Sequence, residues 1–188
     1  MRSSRGLDQF FFNLRDMVGL SILDCGGASQ ENIDFLIELG HKVYTQDLVR
    51  SLDEVFGECG PQTNPDQIAQ FLAQNVPYRE SQFDGVLLWD SLQFMSPSLL
   101  GPVVERLAEV TRPGAYLLAF FPASERATES PSYTFRIADS KNITVTPRGA
   151  RPTGQMFNNR NLERLFGKFE SVKFFLTKEN LREVIIRR

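Results

Sequence analysis

The sequence predicts an α/β fold, in which a doubly wound and mostly parallel sheet carries helices on both faces. Three observations support this prediction. Short apolar runs of strand length alternate with segments of helical periodicity. Glycines stand where the first of these runs passes into a helix, and 188 residues with 41% hydrophobic side chains suffice for one core. We therefore expect a single domain over residues 1–188.

The chain begins with a predicted amphipathic lead-in helix inside residues 1–20. Apolar side chains recur at helical spacing from Leu7 to Val18, and Met17 belongs to that stripe. Phe12 falls outside the stripe. It is either a contact to another molecule or an ordinary exposed aromatic side chain.

A strand, a glycine turn, a helix and a second strand follow, which is the order of a right-handed βαβ unit. The next stretch, 48–64, is interrupted by glycine and proline, and no element is predicted there. A helix that starts at Pro65 and runs toward Pro77 leaves no room for a third strand. These first elements are a strand over 21–25, a helix bearing Ile33, Leu36 and Ile37, a strand over 42–45, and the helix from Pro65.

The second half of the chain continues the alternation but contains an insertion. Two alternating stretches separated by four residues predict a β-hairpin after the last core strand. The elements predicted here are a strand over 83–89, a helix from Pro97, a strand over 116–121, hairpin strands over 133–137 and 142–146, a helix capped by Asn158, and closing strands over 172–176 and 184–186 separated by 177–181.

Composition excludes several classes of function. A net charge of -2 provides no positive field for a nucleic-acid backbone. The two cysteines, Cys25 and Cys59, cannot build a disulfide framework or a cysteine metal cage, so no metal site is predicted. The apolar runs are far shorter than the ~20 residues that span a bilayer, and Asp8 stands where a signal sequence would be apolar. We therefore expect a cytoplasmic protein without membrane contact.

The candidate site lies at the strand ends. The helix that follows Gly26 and Gly27 presents free N–H groups to a ligand at the carboxyl edge of the sheet. Asp47 stands about 20 positions later, at the end of the second strand, where a carboxylate can accept both ribose hydroxyl protons. A tight turn and a solvated strand end would explain each feature alone. Together, in this order and at this spacing, they indicate a nucleoside-containing cofactor.

The stretch Leu23–Ala28 resembles the acidic-x-Gly-x-Gly-x-Gly loop of class I S-adenosylmethionine-dependent methyltransferases. Asp47 is similar to the ribose-binding acid of that family, residues 83–89 to its fourth strand, and Arg112–Ala115 to the turn before its fifth. The resemblance implies a Rossmann-like fold with an antiparallel C-terminal strand and S-adenosylmethionine as the cofactor. The sequence departs from the motif at Ala28 and Gln30, which replace its second and third glycines.

The resemblance also implies a set of cofactor-binding residues. Asn75 stands in for an adenine-binding acid, and Asp90 would orient an acceptor or balance the sulfonium charge, unless it merely caps a helix. In-line methyl transfer requires alignment rather than a particular reactive side chain, so no catalytic residue is assigned. The implied cofactor-binding residues are Asp24, Gly26, Gly27, Ala28, Asp47, Leu48, Asn75, Trp89 and Asp90.

Charge is distributed unevenly along the chain. Acidic residues outnumber basic ones over 21–110, whereas residues 136–168 contain only Asp139 and Glu163 against several bases. The inserted segment, 122–157, is predicted to be a hairpin lid that closes over the acceptor rather than the cofactor. A basic lid would suit an anionic acceptor, and a solvated basic surface is the alternative. The bases are Arg136, Lys141, Arg148, Arg151, Arg160, Arg164 and Lys168.

The sequence thus predicts an S-adenosylmethionine-dependent methyltransferase with a small-molecule acceptor. Neither the amino-group methylase box nor a Pro-Cys nucleophile follows the fourth strand, which disfavours adenine, glutamine and cytosine-carbon acceptors. One alternative is a methyltransferase-like interaction module without catalysis. The other is a nicotinamide-dependent oxidoreductase, which would also use a glycine loop and Asp47. The oligomeric state is not predicted.

Overall fold

The structure is a computed structural model that describes residues 1–124, 128–177 and 181–188. Its strands are β1 (Arg2–Ser3), β2 (Ser21–Asp24), β3 (Lys42–Thr45), β4 (Phe83–Trp89), β5 (Thr111–Pro122), β6 (Glu129–Ile137), β7 (Asn142–Pro152), β8 (Ser171–Leu176) and β9 (Leu181–Arg187). Its α-helices are α1 (Arg5–Leu14), α2 (Gln30–Glu38), α3 (Leu48–Phe56), α4 (Pro65–Asn75), α5 (Pro97–Val110) and α6 (Asn159–Leu165), and a short 3-10 helix spans Ser91–Phe94.

A six-stranded sheet in the order β3-β2-β4-β5-β9-β8 organises the fold. Strands β2, β3, β4 and β5 pair in parallel, whereas β9 is antiparallel to both β5 and β8. In the described chain, β9 alone therefore runs against the other strands of this sheet. This arrangement confirms the predicted mostly parallel sheet with an antiparallel C-terminal strand.

No strand forms between α4 and β4 in this structure, as the helical pattern before Pro77 indicated. β3 is consequently an edge of the sheet. Part of the predicted turn 177–181 and part of the predicted lid 122–157 lie outside the described residues, because 125–127 and 178–180 are not among them.

The sheet is covered on both faces, and the inserted hairpin is part of that cover. Leu117 and Phe121 point into a core formed with α3, α4, α5 and α6. Leu118 and Phe120, which alternate with them, point into a second core formed with α1, α2 and the hairpin strands. Phe135 belongs to this second core, so the hairpin is packed against the sheet. None of the described helices is both long and apolar enough to cross a bilayer.

Helix α3 was not expected from the sequence. Its apolar side chains Leu48, Leu52 and Val55 are buried at helical spacing. The glycines and the proline that suggested a broken pattern all lie after the helix, where Gly57 ends it with a φ of 80°. Asp47 is the N-cap of α3, and its side chain accepts a hydrogen bond from the Arg50 N–H.

Two predicted helical faces are shorter than the sequence pattern suggested. Helix α1 ends at Leu14, and Asp16 takes a φ of 63°, which turns the chain away before Met17 and Val18. Both of these side chains are exposed. On α2, Ile37 is also exposed, whereas Asn32 is buried toward the hairpin.

The N-terminal residues tie the hairpin to the sheet. Strand β1 pairs with β7 and completes a three-stranded sheet with the hairpin. Glu183 of β9 is fully buried and accepts hydrogen bonds from Arg2 Nη2 at 2.9 Å, Ser4 Oγ at 3.0 Å and the Gly6 N–H at 2.6 Å. One carboxylate therefore connects the start of the chain to its last strand.

We expect Glu183→Ala to lower the free energy of unfolding by about 3 to 5 kcal/mol, because it removes a buried carboxylate that accepts hydrogen bonds from Arg2, Ser4 and Gly6. Urea unfolding followed by circular dichroism measures the change. Glu170→Ala is the matched control, since Glu170 pairs with Arg187 in solvent at 3.1 Å. That variant should lose less than about 1 kcal/mol. Similar losses in the two variants would contradict the role given to Glu183.

Candidate functional site

The turn after β2 is shaped by one buried carboxylate. Asp24 Oδ1 accepts hydrogen bonds from the Gly26 N–H at 3.0 Å and from Trp89 Nε1 at 2.7 Å, and Oδ2 accepts one from Asn32 Nδ2 at 2.8 Å. The pKa of Asp24 is raised because the effect of burial exceeds that of these hydrogen bonds, which lower it. Through its hydrogen bond to the Gly26 N–H, Asp24 fixes the backbone of the turn.

The two glycines of the turn are required by close contacts. Gly27 has a φ of 89°, and a Cβ atom there would lie 3.0 Å from Asp47 Oδ2. A Cβ atom on Gly26 would lie 2.7 Å from Trp89 Cδ1. The Gly27 N–H also donates to the carbonyl of Gln46 at 3.0 Å. The turn is thus held against the end of β3, directly beside Asp47.

Asp47 keeps part of its carboxylate available. Oδ1 accepts a hydrogen bond from the Arg50 N–H at 3.0 Å, while Oδ2 lies 3.6 Å from Arg148 Nη2 of the hairpin. The side chain is 26% exposed. A ligand that enters beside the glycine turn can therefore reach Oδ2, provided that it competes with Arg148.

A polar cleft of about 500 Å³ opens at this point. It contains four of the residues predicted for the cofactor, namely the three turn residues and Asp47. It also contains Thr134 and Arg148 of the hairpin, which the sequence analysis did not place there. The lining residues are Gly26, Gly27, Ala28, Thr45, Gln46, Asp47, Arg50, Thr134 and Arg148.

Leu48 and Asn75 lie behind the cleft. Leu48, the first residue of α3, is buried in the core. Asn75 is also buried, and its Oδ1 accepts a hydrogen bond from Gln46 Nε2 at 2.8 Å while its Nδ2 donates to the carbonyl of Phe71. Asn75 thus reaches the cleft only through Gln46. Cofactor contacts of Leu48 and Asn75 stay a prediction.

Trp89 was expected to line the cleft, but the structure buries it. The side chain is 1% exposed, and its ring stacks on Phe135 with centroids 5.1 Å apart and planes 5° from parallel. Its φ of 51° and its hydrogen bond to Asp24 direct the indole over Gly26. The reason is the hairpin, which covers the end of β4 and makes Trp89 part of the core.

Asp90 is also covered by the hairpin. It is 3% exposed, and Oδ2 accepts a hydrogen bond from the Tyr133 N–H at 2.9 Å. Burial raises the pKa of Asp90 to about 7, although the positive charge of Arg148 partly opposes this. Its side chain makes no capping hydrogen bond to the 3-10 helix that follows. Capping therefore does not explain this acid.

The basic residues of the insertion face the acidic residues of the core. Thr134 and Arg148 of the hairpin line the glycine-turn cleft. Closure of the insertion as a lid over the acceptor stays a prediction. Among the described residues of the insertion, Arg136 pairs with Glu31 at 3.2 Å, Lys141 with Asp8 at 3.8 Å, Arg148 with Asp47 at 3.6 Å and Arg151 with Asp53 at 2.6 Å. Beyond the insertion, Lys168 pairs with Glu105 at 2.9 Å.

Phe12 and Cys25, which the sequence analysis considered, and His41 have other surroundings. His41 is buried at the start of β3, where burial lowers its pKa. Cys25 is a buried free thiol. Phe12 is exposed, and the Arg15 guanidinium lies 3.7 Å from its ring centroid. None of the three lines the cleft described above.

A mostly parallel sheet with a glycine turn facing an acidic strand end defines an α/β fold that binds nucleoside cofactors. The profile of a family described as "Methyltransferase domain" matches residues 23–119, slightly more than half of the chain. The chain therefore belongs to the methyltransferase domain family, whose cofactor is S-adenosylmethionine. This membership leaves the nicotinamide-dependent oxidoreductase without support. A comparison with curated protein sequences finds no match.

Solved structures of methyltransferases share the fold. The 1,6-didemethyltoxoflavin-N1-methyltransferase of Burkholderia thailandensis, solved with 1,6-didemethyltoxoflavin and S-adenosylhomocysteine, is 16% identical at a TM-score of 0.54, over 97% of this chain and 76% of that one. A SAM-dependent methyltransferase from Archaeoglobus fulgidus is 13% identical at a TM-score of 0.56, over 97% of this chain and 91% of that one. A SAM-dependent methyltransferase from Methanosarcina mazei is 14% identical at a TM-score of 0.54, over 95% of this chain and 96% of that one.

The buried state of Asp90 predicts a pH-dependent stability. In the folded chain Asp90 keeps its proton up to about pH 7, whereas in the unfolded chain the carboxyl loses it near its ordinary pKa of 3.8. The folded state thus binds more protons between these values, so the contribution of Asp90 to stability is present below about pH 4 and is lost as the pH rises through 7.

We expect Asp90→Asn to remove this contribution to the pH dependence. Between pH 4 and 8 the free energy of unfolding of the unsubstituted chain should fall relative to that of the variant by on the order of 3 kcal/mol. Denaturant unfolding of both proteins across that range measures the difference. Parallel pH profiles would show that Asp90 ionises in the folded protein as it does in water.

Proposed function

We propose that the chain transfers a methyl group from S-adenosylmethionine to a small-molecule acceptor, with the cofactor bound at the glycine turn and Asp47. The observation that carries this proposal is the contact between Gly27 and Asp47, where a Cβ atom would lie 3.0 Å from Oδ2. A glycine turn beside a partly exposed carboxylate is an arrangement that admits a ribose.

The residues at this end of the cleft fit the nucleoside part of the cofactor. Asp47 would accept hydrogen bonds from the ribose hydroxyls, with Oδ2 as the oxygen that faces the cleft. Residues 26–28 would offer their backbone to the ligand, since helix α2 begins just after them at Gln30. When bound, S-adenosylmethionine supplies a methyl group that is attached to a positively charged sulfur. An acceptor can attack this methyl carbon and displace the neutral thioether.

The far end of the site is closed by the hairpin. Trp89 and Phe135 stack beside the turn, and the Tyr133 N–H donates a hydrogen bond to Asp90. The two stacked rings belong to the described aromatic cover of this end. These side chains would exclude water from the reacting atoms. Asp90, with a pKa raised to about 7, would hold a proton at its carboxyl in the neutral range. The alignment of cofactor and acceptor supplies most of the rate, and no catalytic residue is assigned.

A small molecule is the acceptor class that we propose. The bases at positions 136, 141, 148, 151 and 168 pair with carboxylates of the core, so they form no extended positive surface for a nucleic acid. The same pairing gives no support to an anionic acceptor. The Burkholderia enzyme binds such a small molecule, 1,6-didemethyltoxoflavin. A cytoplasmic location remains a proposal that rests on the sequence.

Calorimetric titration with S-adenosylmethionine and with S-adenosylhomocysteine tests the proposal. We expect both to bind, and we expect Asp47→Ala to weaken both by about 10- to 100-fold, because two hydroxyl groups lose a charged acceptor. Asp34→Ala is the control, since Asp34 is an exposed acid on α2. That variant should bind like the unsubstituted chain.

The titration also distinguishes the rival function. If the folded, unsubstituted chain binds neither ligand, the proposed activity is wrong and a methyltransferase-like interaction module takes its place. Unchanged affinity in a folded Asp47→Ala variant would instead move the cofactor away from Asp47.

A further inference from the structure

Arg148 is the basic residue that the hairpin brings into the cofactor cleft. It lies on β7, its side chain is 36% exposed, and Nη2 is 3.6 Å from Asp47 Oδ2. It lines the cleft together with both turn glycines. Arg50 lines the cleft too, but its Nε donates to Glu54 at 2.8 Å on the outer side of α3. The charge of Arg148 therefore acts on the interior of the site.

The charge of Arg148 reaches three carboxyl groups. It pairs with Asp47 directly. Its charge also adds to the effect of the Arg151 hydrogen bonds that lower the pKa of Asp53, and it partly opposes the burial that raises the pKa of Asp90. These groups run from the ribose end of the cleft to the end of β4. The guanidinium of Arg148 therefore places a positive charge beside the acidic residues of the site.

Methyl transfer changes the charge of the cofactor. The acceptor atom forms a bond to the methyl carbon, the sulfur–methyl bond breaks, and its electron pair returns to sulfur. Where the acceptor carries a proton, that proton leaves for solvent. S-adenosylmethionine therefore enters with a positive sulfur, and S-adenosylhomocysteine leaves with a neutral one.

We propose that Arg148 sets the preference of the site between these two ligands, since its positive charge opposes the sulfonium and leaves the neutral thioether unaffected. This inference rests on the proposed function, because it assumes that the cofactor occupies the cleft beside Asp47. Arg148 also competes with the ribose for Asp47 Oδ2, but that competition weakens both ligands equally. The ratio of the two affinities isolates the effect of charge.

The test is calorimetric titration of the unsubstituted chain and of Arg148→Gln with each ligand. We expect Arg148→Gln to increase the affinity for S-adenosylmethionine relative to S-adenosylhomocysteine about fivefold, which is the scale of a partly solvated charge interaction. Arg148→Lys keeps the charge and should retain the original ratio. Because position 148 is exposed, neither substitution removes core packing.

Arg151→Gln is the matched control. Arg151 lies on the same strand, carries the same charge and pairs with Asp53 through two hydrogen bonds of 2.8 and 2.6 Å. Loss of the Arg151 guanidinium weakens the docking of the hairpin but leaves Arg148 in the cleft. The ratio of the affinities for the two ligands should therefore stay unchanged.

Three results would overturn the inference. If the ratio of the affinities for S-adenosylmethionine and S-adenosylhomocysteine is unchanged or lowered in Arg148→Gln, the inference is wrong while the proposed function stands. The same holds if the ratio rises equally in Arg151→Gln, because that result would indicate a general effect of net charge. Failure of the unsubstituted chain to bind either ligand refutes the proposed function, and the inference with it.

Discussion

The buried carboxylate of Asp24 determines how the core and the inserted hairpin fit together. It holds the glycine turn from below and orients the Trp89 indole. Its third partner is Asn32, whose Nδ2 also donates to the carbonyl of Phe135 at 3.2 Å and whose Oδ1 accepts a hydrogen bond from the Ile137 N–H at 2.7 Å. Both N–H groups and the oxygen of that buried amide are hydrogen-bonded, so the network holds turn, strand and hairpin in a defined arrangement.

The separation of charge along the chain is explained by this docking. Acidic side chains of the core meet basic side chains of the insertion, and each such pair at a solvated surface contributes little to stability. Apolar packing, represented by the stack of Trp89 on Phe135, therefore supplies most of the attachment. The ion pairs contribute orientation, and through Arg148 they bring a guanidinium into a cleft that an isolated core would leave acidic.

Periodicity and spacing were enough to predict most elements and the meeting of the glycine turn with Asp47. These features depend on residues close in the chain or on the shared edge of a parallel sheet. The cover over Asp90 could not be predicted in this way, because its partner Tyr133 lies 43 positions away on an insertion without a fixed place in the fold. Asn32 was missed since a buried amide looks in sequence like an ordinary polar helix residue. Helix α3 was readable from its apolar spacing, but the glycines beyond it concealed the signal.

The contacts of Glu183 have a consequence for the order in which the molecule can be assembled. The Gly6 amide and its carboxylate partner are 177 positions apart, so closing that loop is entropically expensive until the intervening strands are in place. During synthesis the first residues leave the ribosome long before β9 exists. Their hydrogen bonds to Glu183 can form only once β9 lies between β5 and β8. The attachment of β1 to the larger sheet through this carboxylate is therefore a late step, whereas the pairing of β1 with β7 uses strands that are synthesised earlier.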